Sequence, residues 1–351
     1  MEQLFNNFRE KVKQHHNLVE SICLSNSSGL IWCEQYIPSN RRNIYSHSKS
    51  FTSLMVGIAI DEGMLTLDTR LSDVFKDEMS KEEYQKLYNI KVKHLLNMSS
   101  GFDQPCLFTD QRISGQGYPD YLKFMFSLEV KVEPGSKFFY SNGDTYLLSR
   151  IVSKVYNRNF TQLCYEKIFK PLEIGLPMWG VDPMGYCIAA SELCLSVIDM
   201  NKLGILFKNN GVYKGKRIIS EEYVKMCSSP QISTNGGWGD YSFQFWMVPE
   251  CDAYRADGAY GQLTIIFKNH DYILSFQRPE DDKLNIVLDI LREELSPMSF
   301  NTWIQPTKLH NITDDKITLL VEMPLAKKII EKACKDYDAV IEAAGGIDLQ
   351  L

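Results

Sequence analysis

The order of apolar and polar positions divides the chain into extended stretches at both ends and helical stretches between them. Phe5, Phe8, Val12 and His15 recur at helical spacing, so residues 2–16 read as an amphipathic helix. Two short β-rich runs, Ser21–Leu24 and Leu30–Gln35, flank Asn26-Ser27-Ser28-Gly29 and resemble a hairpin. From Ile44 to Gly63 the chain is mostly apolar after Ser50. It is too long for a strand and closes on Gly63, a natural helix C-terminal residue, so it predicts a buried central helix. Tyr146–Tyr156, Phe160–Ile168 and Ser191–Phe207 read as further helices, with a Gly/Pro/Trp loop around Pro177–Gly185. Strands follow at Tyr241–Val248, Gly261–Phe267 and Tyr272–Gln277, with turns at Asp257-Gly258 and Asn269-His270-Asp271. The pattern predicts an α+β fold, an antiparallel sheet closed by distant segments and flanked by helices, with an all-helical insertion.

At 351 residues and 44% hydrophobic content, the chain can hold one large domain and a small one. A net charge of -6 leaves no electrostatic footprint for nucleic acid or an anionic membrane, so neither is expected as a partner. The first twenty residues lack an apolar signal core, and no window approaches eighteen apolar residues. A soluble, cytoplasmic protein is expected. Nine cysteines, without a C-x-x-C pair or a histidine at ligand spacing, predict reduced thiols with no disulfide framework and no zinc. No cofactor is expected either.

The central helix carries the candidate chemistry. Ser46 stands at its N-terminus and Lys49 three residues on, so amine and hydroxyl project from the same side, where the helix end favours negative charge on the serine oxygen. By itself S-x-x-K arises about once by chance in a chain this long, and its ordinary meaning is a capping serine followed by a surface lysine. A lysine opening a helix buried almost all round needs another reason, because an unpaired ammonium there is costly.

Three segments then fall in order: Ser46-His47-Ser48-Lys49, Tyr140-Ser141-Asn142, and Ala256-Asp257-Gly258-Ala259-Tyr260-Gly261-Gln262. This order resembles the serine β-lactamase and penicillin-binding-protein superfamily, in its class C branch with bacterial D-aminopeptidases and carboxylesterases. Leu95-Leu96-Asn97-Met98-Ser99-Ser100-Gly101-Phe102, Glu133-Pro134-Gly135 and Lys170-Pro171-Leu172 extend the likeness over roughly residues 17–295. The resemblance implies a β-lactamase-like fold and a serine hydrolase that cleaves a small ester or amide through acyl-Ser46. Lys49 takes the serine proton if its pKa is lowered, or stays charged and lowers that of Tyr140, which then serves as base and acid. Asn142 is expected to bind Lys49 and a substrate carbonyl, although an Asn here is also an ordinary turn residue. The family pattern implies an oxyanion hole from the backbone N–H groups of Ser46 and Ala259, with Gly258 beside them.

One departure is chemical. Ala256 stands where the family usually has Lys or His to bind a substrate carboxylate, so an uncharged substrate is expected. His47 is expected to face the sheet rather than the reaction. Trp179, Trp238 and Trp246 are candidates for an acyl pocket, although large aromatics are more often core.

A second resemblance occupies residues 284–351. A helix at Leu284–Leu295, the run Phe300-Asn301-Thr302-Trp303-Ile304-Gln305-Pro306, strands at Lys316–Val321 and near Ile347–Leu351, and a helix at Pro324–Tyr337 are similar in order to the N-terminal domain of the replication initiator DnaA. The expected division is therefore 1–283 as hydrolase and 284–351 as a small α/β module, with helix 284–295 open to either. From Lys283 onward eight Lys/Arg face eleven Asp/Glu, a poor balance for DNA, so the expected contact is a protein. The competing expectation is a weak or inactive hydrolase scaffold that works through this module.

Overall fold

In the computed structural model, the described residues are 2–14, 19–36, 41–234, 239–278, 308–313, 316–320 and 347–350. The chain divides into two compact units, Glu20–Arg278 and Met1–Val19 with Pro279–Leu351. The larger unit is built on one seven-stranded antiparallel sheet. Its strands are β1 (Ser21–Asn26), β2 (Gly29–Gln35), β3 (Tyr241–Ser242), β4 (Phe245–Val248), β5 (Ala253–Gly258), β6 (Gln262–Phe267) and β7 (Ile273–Gln277), in spatial order β2-β1-β7-β6-β5-β4-β3. The N-terminal hairpin therefore completes a sheet begun about two hundred residues later, by pairing Ile22 with Phe276 and Leu24 with Leu274. The expected α+β architecture, with distant segments closing the sheet, is the one observed.

The smaller unit contains α1 (Glu2–Gln14) and a three-stranded sheet of β8 (Lys308–Thr313), β9 (Lys316–Leu320) and β10 (Ile347–Gln350), with β9 between its neighbours. The strands expected near 316–321 and 347–351 are present. The helices expected at 284–295 and 324–337, and Phe300, Trp303 and Pro306, lie outside the described residues.

The predicted central helix is α2 (Ser48–Asp61), and twelve of its fourteen residues are buried. Its apolar side chains meet other helices, Phe51 lying 5.7 Å from Phe169 between ring centroids. Each such side chain contributes about 1.5–3 kcal/mol by leaving water. Its hydroxyls are equally well placed, Ser50 donating to the Gln244 carbonyl and Thr52 to that of Ala189. The chain leaves α2 through Gly63 at a φ of 71°, a conformation that favours glycine. Beside it runs α3 (Asn142–Tyr156), and α4 (Val197–Lys208) lies across β1, β6 and β7.

The structure corrects several expected boundaries. The helix expected from Ser191 begins at Val197, because Ser196 accepts the Asp199 N–H as its cap; Glu192 has a positive φ, and Cys194–Leu195 is a short strand instead. Tyr241–Val248 is two strands, turned at Phe243 and Gln244, both with positive φ. Asp257-Gly258 ends strand β5 rather than forming a turn. The expectation of reduced thiols throughout also fails. Cys23 and Cys33 are directly opposed in the β1–β2 register and form a disulfide, with Cα atoms 4.2 Å apart.

Gly204 lets α4 lie close on the sheet. A Cβ there would come within 2.4 Å of Ile273 Cγ2 and 2.9 Å of Thr264 Cγ2. Gly204→Leu should destabilise the protein by about 1–3 kcal/mol through overpacking. An unchanged urea midpoint would show that the helix can slide to make room.

Candidate active site

Ser46 sits in a 3₁₀ turn, Tyr45–His47, that runs directly into α2. Tyr45 has a φ of 49°, uncommon for a bulky residue, and such backbone costs about 1–3 kcal/mol unless its surroundings hold it. Here both ends are tied. The Tyr45 N–H donates to Asn43 Oδ1 at 2.8 Å, and its carbonyl accepts from Ser48 Oγ at 2.6 Å. Ser46 remains partly exposed, while Lys49, one turn on, is 1% exposed.

Lys49 Nζ lies 2.9 Å from Ser46 Oγ, 2.7 Å from Asn142 Oδ1 and 2.9 Å from the Ala190 carbonyl oxygen. Burial holds its pKa well below 10.5, and the positive charge of Arg112 acts in the same direction. Asn142 opens α3 under the Ser141 cap and donates through Nδ2 to the Leu107 carbonyl, which fixes its amide oxygen toward Lys49. Tyr140 arrives on a segment hung from the Met98–Gly101 turn, through Phe139 N–H to Met98 O and Gly135 N–H to Ser99 O. The Lys49 amine is 4.9 Å from the Tyr140 ring centroid. Burial raises the Tyr140 pKa, a hydrogen bond with Ser46 opposes that rise, and the Asp257 charge adds to it.

The third segment meets the Tyr45–His47 turn through a missing side chain. A Cβ on Gly258 would lie 2.1 Å from the Ile44 carbonyl oxygen and 3.1 Å from the His47 nitrogen. Only glycine allows that approach. Ala259 follows, and then Tyr260 at a φ of 59°, its ring 5.1 Å from that of Tyr45. Ala256 is fully buried, and the nearest charges on its strand belong to Arg255 and Asp257, paired at 2.7 Å.

His47 turns to the sheet, as expected. Its Nε2 shares a 2.9 Å hydrogen bond with Thr264 Oγ1, and burial holds its pKa at about 3, so the ring is neutral. A buried polar chain continues from Thr264 to Ser275, Asn201 and Ser25. Of the tryptophans, Trp246 stands 5.8 Å from Tyr140 and 5.7 Å from Phe138, forming a wall beside the site. Trp179 is core, packed on Phe160 and Phe169, and Trp238 lies outside the described residues.

Two partners of Lys49 escaped sequence reasoning. The Ala190 carbonyl lies just before the stretch read as a helix from Ser191, and a backbone acceptor leaves no side-chain signature. Arg112 comes from a short helix, Thr109–Ile113, inside the stretch 102–119, which its Gly, Pro, Asp and Gln content marks in the sequence as a loop. Arg112 is 2.5 Å from Glu192, whose backbone N–H donates to Asn43 Oδ1 at 3.0 Å. The only signal was the loop's polar and glycine content, which marks a wall without naming a residue.

Comparison with known proteins agrees with this arrangement. Residues 285–344 match the family model of the DnaA N-terminal domain. Protein flp of Staphylococcus aureus is 28% identical over 145 residues, which cover 39% of this chain and only 28% of that protein's length. Among solved structures, a family VIII carboxylesterase aligns with a TM-score of 0.63 at 16% identity, covering 78% of this chain and 89% of its own. The penicillin-binding protein homologue of Pyrococcus abyssi aligns at 0.61 and 20%, covering 84% and 78%. The penicillin binding protein of Bacillus halodurans aligns at 0.61 and 16%, covering 80% and 97%. At these identities the structures show a shared fold. The family model for Beta-lactamase matches residues 33–277, well over half of the chain, and the chain therefore belongs to the β-lactamase family.

Proposed function

We propose that the protein is a serine hydrolase that cleaves a small, uncharged ester or amide through an acyl-Ser46 intermediate. The observation that carries this reading is the position of Lys49 Nζ, 2.9 Å from Ser46 Oγ with two other acceptors already in place. A neutral amine has two N–H groups and one lone pair. The N–H groups fit Asn142 Oδ1 and the Ala190 carbonyl, and the lone pair is left for the Ser46 proton. The lowered pKa of Lys49 and the raised pKa of Tyr140 favour this route over a tyrosinate base.

Ser46 Oγ attacks the acyl carbon as its proton passes to Lys49, and the oxyanion is held by the N–H groups of Ser46 and Ala259. Tyr140, still protonated, gives its proton to the leaving group and is reprotonated by way of Lys49. Water then releases the acyl group. The aromatic wall of Phe138 and Trp246 suits an apolar portion of the substrate, and the family members that are carboxylesterases offer a parallel for the ester.

A second reading, a scaffold that acts by binding a protein through residues 284–351, draws on the DnaA-like match of that segment. The division proposed is a hydrolase through about residue 283 followed by that module. Turnover of any p-nitrophenyl ester that requires Ser46 would exclude an inactive scaffold.

A fluorophosphonate probe should label Ser46 and fail to label Ser46→Ala; equal labelling of the two would end the hydrolase reading. The base form of Lys49 exists above its own pKa, so acylation should rise with pH through the lowered value and level off well short of 10.5. A rate that climbs all the way to 10.5 would mean that Lys49 titrates as a surface lysine. Lys49→Arg, which cannot release its proton, should lose roughly 10²–10⁴-fold in acylation rate. Cephalosporins should be poor substrates, and Ala256→Lys should improve their binding by about 1–3 kcal/mol, as one charged hydrogen bond allows. Efficient cephalosporin turnover by the unmodified protein would refute the role given to position 256.

A further inference from the structure

Arg150, two turns into α3 from Asn142, is the buried cation that the acyl-transfer site does not use. Its side chain belongs to a residue only 8% exposed. Among the described residues it makes one hydrogen bond, from Nη1 to the Tyr146 hydroxyl at 2.9 Å, and no ion pair. The nearest acid along that path is already committed. Asp182 accepts the Tyr146 hydroxyl on Oδ2 and the Met184 and Tyr186 N–H groups on Oδ1. The Tyr186 ring covers one face of the guanidinium, its centroid 3.3 Å away, and holds the fork in one plane.

An unpaired charge removed from water is costly unless a partner arrives, and Arg150 lines a cavity of about 520 Å³ in which one fits. The lining also includes Ser153, Lys154, Arg158 and Asn159, with Glu78 as the one carboxylate. Lys154 pairs with Glu78 and Arg158 with Glu166, and both cations are about half exposed, so an anion in the cavity would take them from weak surface ion pairs. Arg150 and Lys154 are one turn apart on a single helix face, and Arg158 lies just past the helix end.

We propose that this cavity binds a small oxyanion of the phosphate class, with Arg150 as its bidentate base and Lys154 and Arg158 closing from the rim. A phosphate offers enough acceptor oxygens for all three cations together with the Ser153 hydroxyl and the Asn159 amide, whereas a carboxylate has two oxygens. The site is separate from Ser46 and does not depend on acyl transfer.

Isothermal titration of the full chain with inorganic phosphate, against acetate and sodium chloride at matched ionic strength, tests it. Saturable phosphate binding is expected, weakened about tenfold or more in Arg150→Gln, as loss of a charged hydrogen bond implies. The exposed double variant Lys154→Gln/Arg158→Gln should weaken it about threefold. It decides the matter if circular dichroism shows that Arg150→Gln does not fold. No saturable phosphate binding, wild-type affinity in the folded variants, or acetate binding as tightly as phosphate would each overturn the proposal.

Discussion

The constraint on which the site depends is the burial of one amine. Lys49 lies inside a buried helix, and it is tolerable there only because three separate segments bring oxygens to it: the Tyr45–His47 turn, the first residue of α3 and the irregular run at 189–193. That run is stitched to the start of the central helix by Ile44 N–H to Leu193 O, Glu192 N–H to Asn43 Oδ1 and Thr52 Oγ1 to Ala189 O. The same contacts that satisfy the lysine therefore align it with Ser46. Removing any one would leave a buried polar atom unpaired and the Lys49 amine out of place.

The sheet supplies the opposite wall, and it does so by close backbone approach. Gly258 brings β5 against Ile44 and His47, and Gly204 lets α4 press on Thr264 and Ile273 from the side to which His47 turns. Between them lies the polar chain from His47 through Thr264, Ser275 and Asn201 to Ser25. The neutral imidazole anchors the end of the Ser46 turn to the sheet, while Asn43 and Ser48 hold the positive φ of Tyr45 at its start. Positioning of Ser46 is thus shared by the helix, the strand and the layer behind them.

How much of this was legible in the sequence depended on the kind of signal. The central helix, its Gly63 stop and the Ser46–Lys49 spacing were readable because side-chain period and glycine chemistry are local. Tyr140 and Asn142 were readable only through the family likeness, since a tyrosine and an asparagine near a turn have ordinary meanings. Ala190 was not readable at all, because any residue has a carbonyl, and the apolar period of 191–207 concealed the Ser196 cap. The end of β5 was taken for a turn because Asp-Gly usually makes one; here the glycine is required by the neighbour it touches rather than by its own φ. The Cys23–Cys33 bond was missed because compartment was weighed before register. A cysteine count carries no information about which two residues face each other across a hairpin.

The electrostatics around Ser46 bear on substrate charge through pairing as well as through Ala256. Arg112, the cation that acts on Lys49, is 2.5 Å from Glu192, and Arg255, on the strand of Ala256, is 2.7 Å from Asp257. Each guanidinium thus has a carboxylate of its own. An incoming substrate carboxylate would lose hydration and meet no uncompensated cation in return, and it would also face the field of Asp257, which already acts on Tyr140. A neutral acyl group avoids that cost and can use the exposed edge of the Phe138 and Trp246 wall. In the mechanism proposed above, a free anion beside Lys49 would favour its ammonium form, so a substrate without charge keeps the amine in the form that mechanism uses.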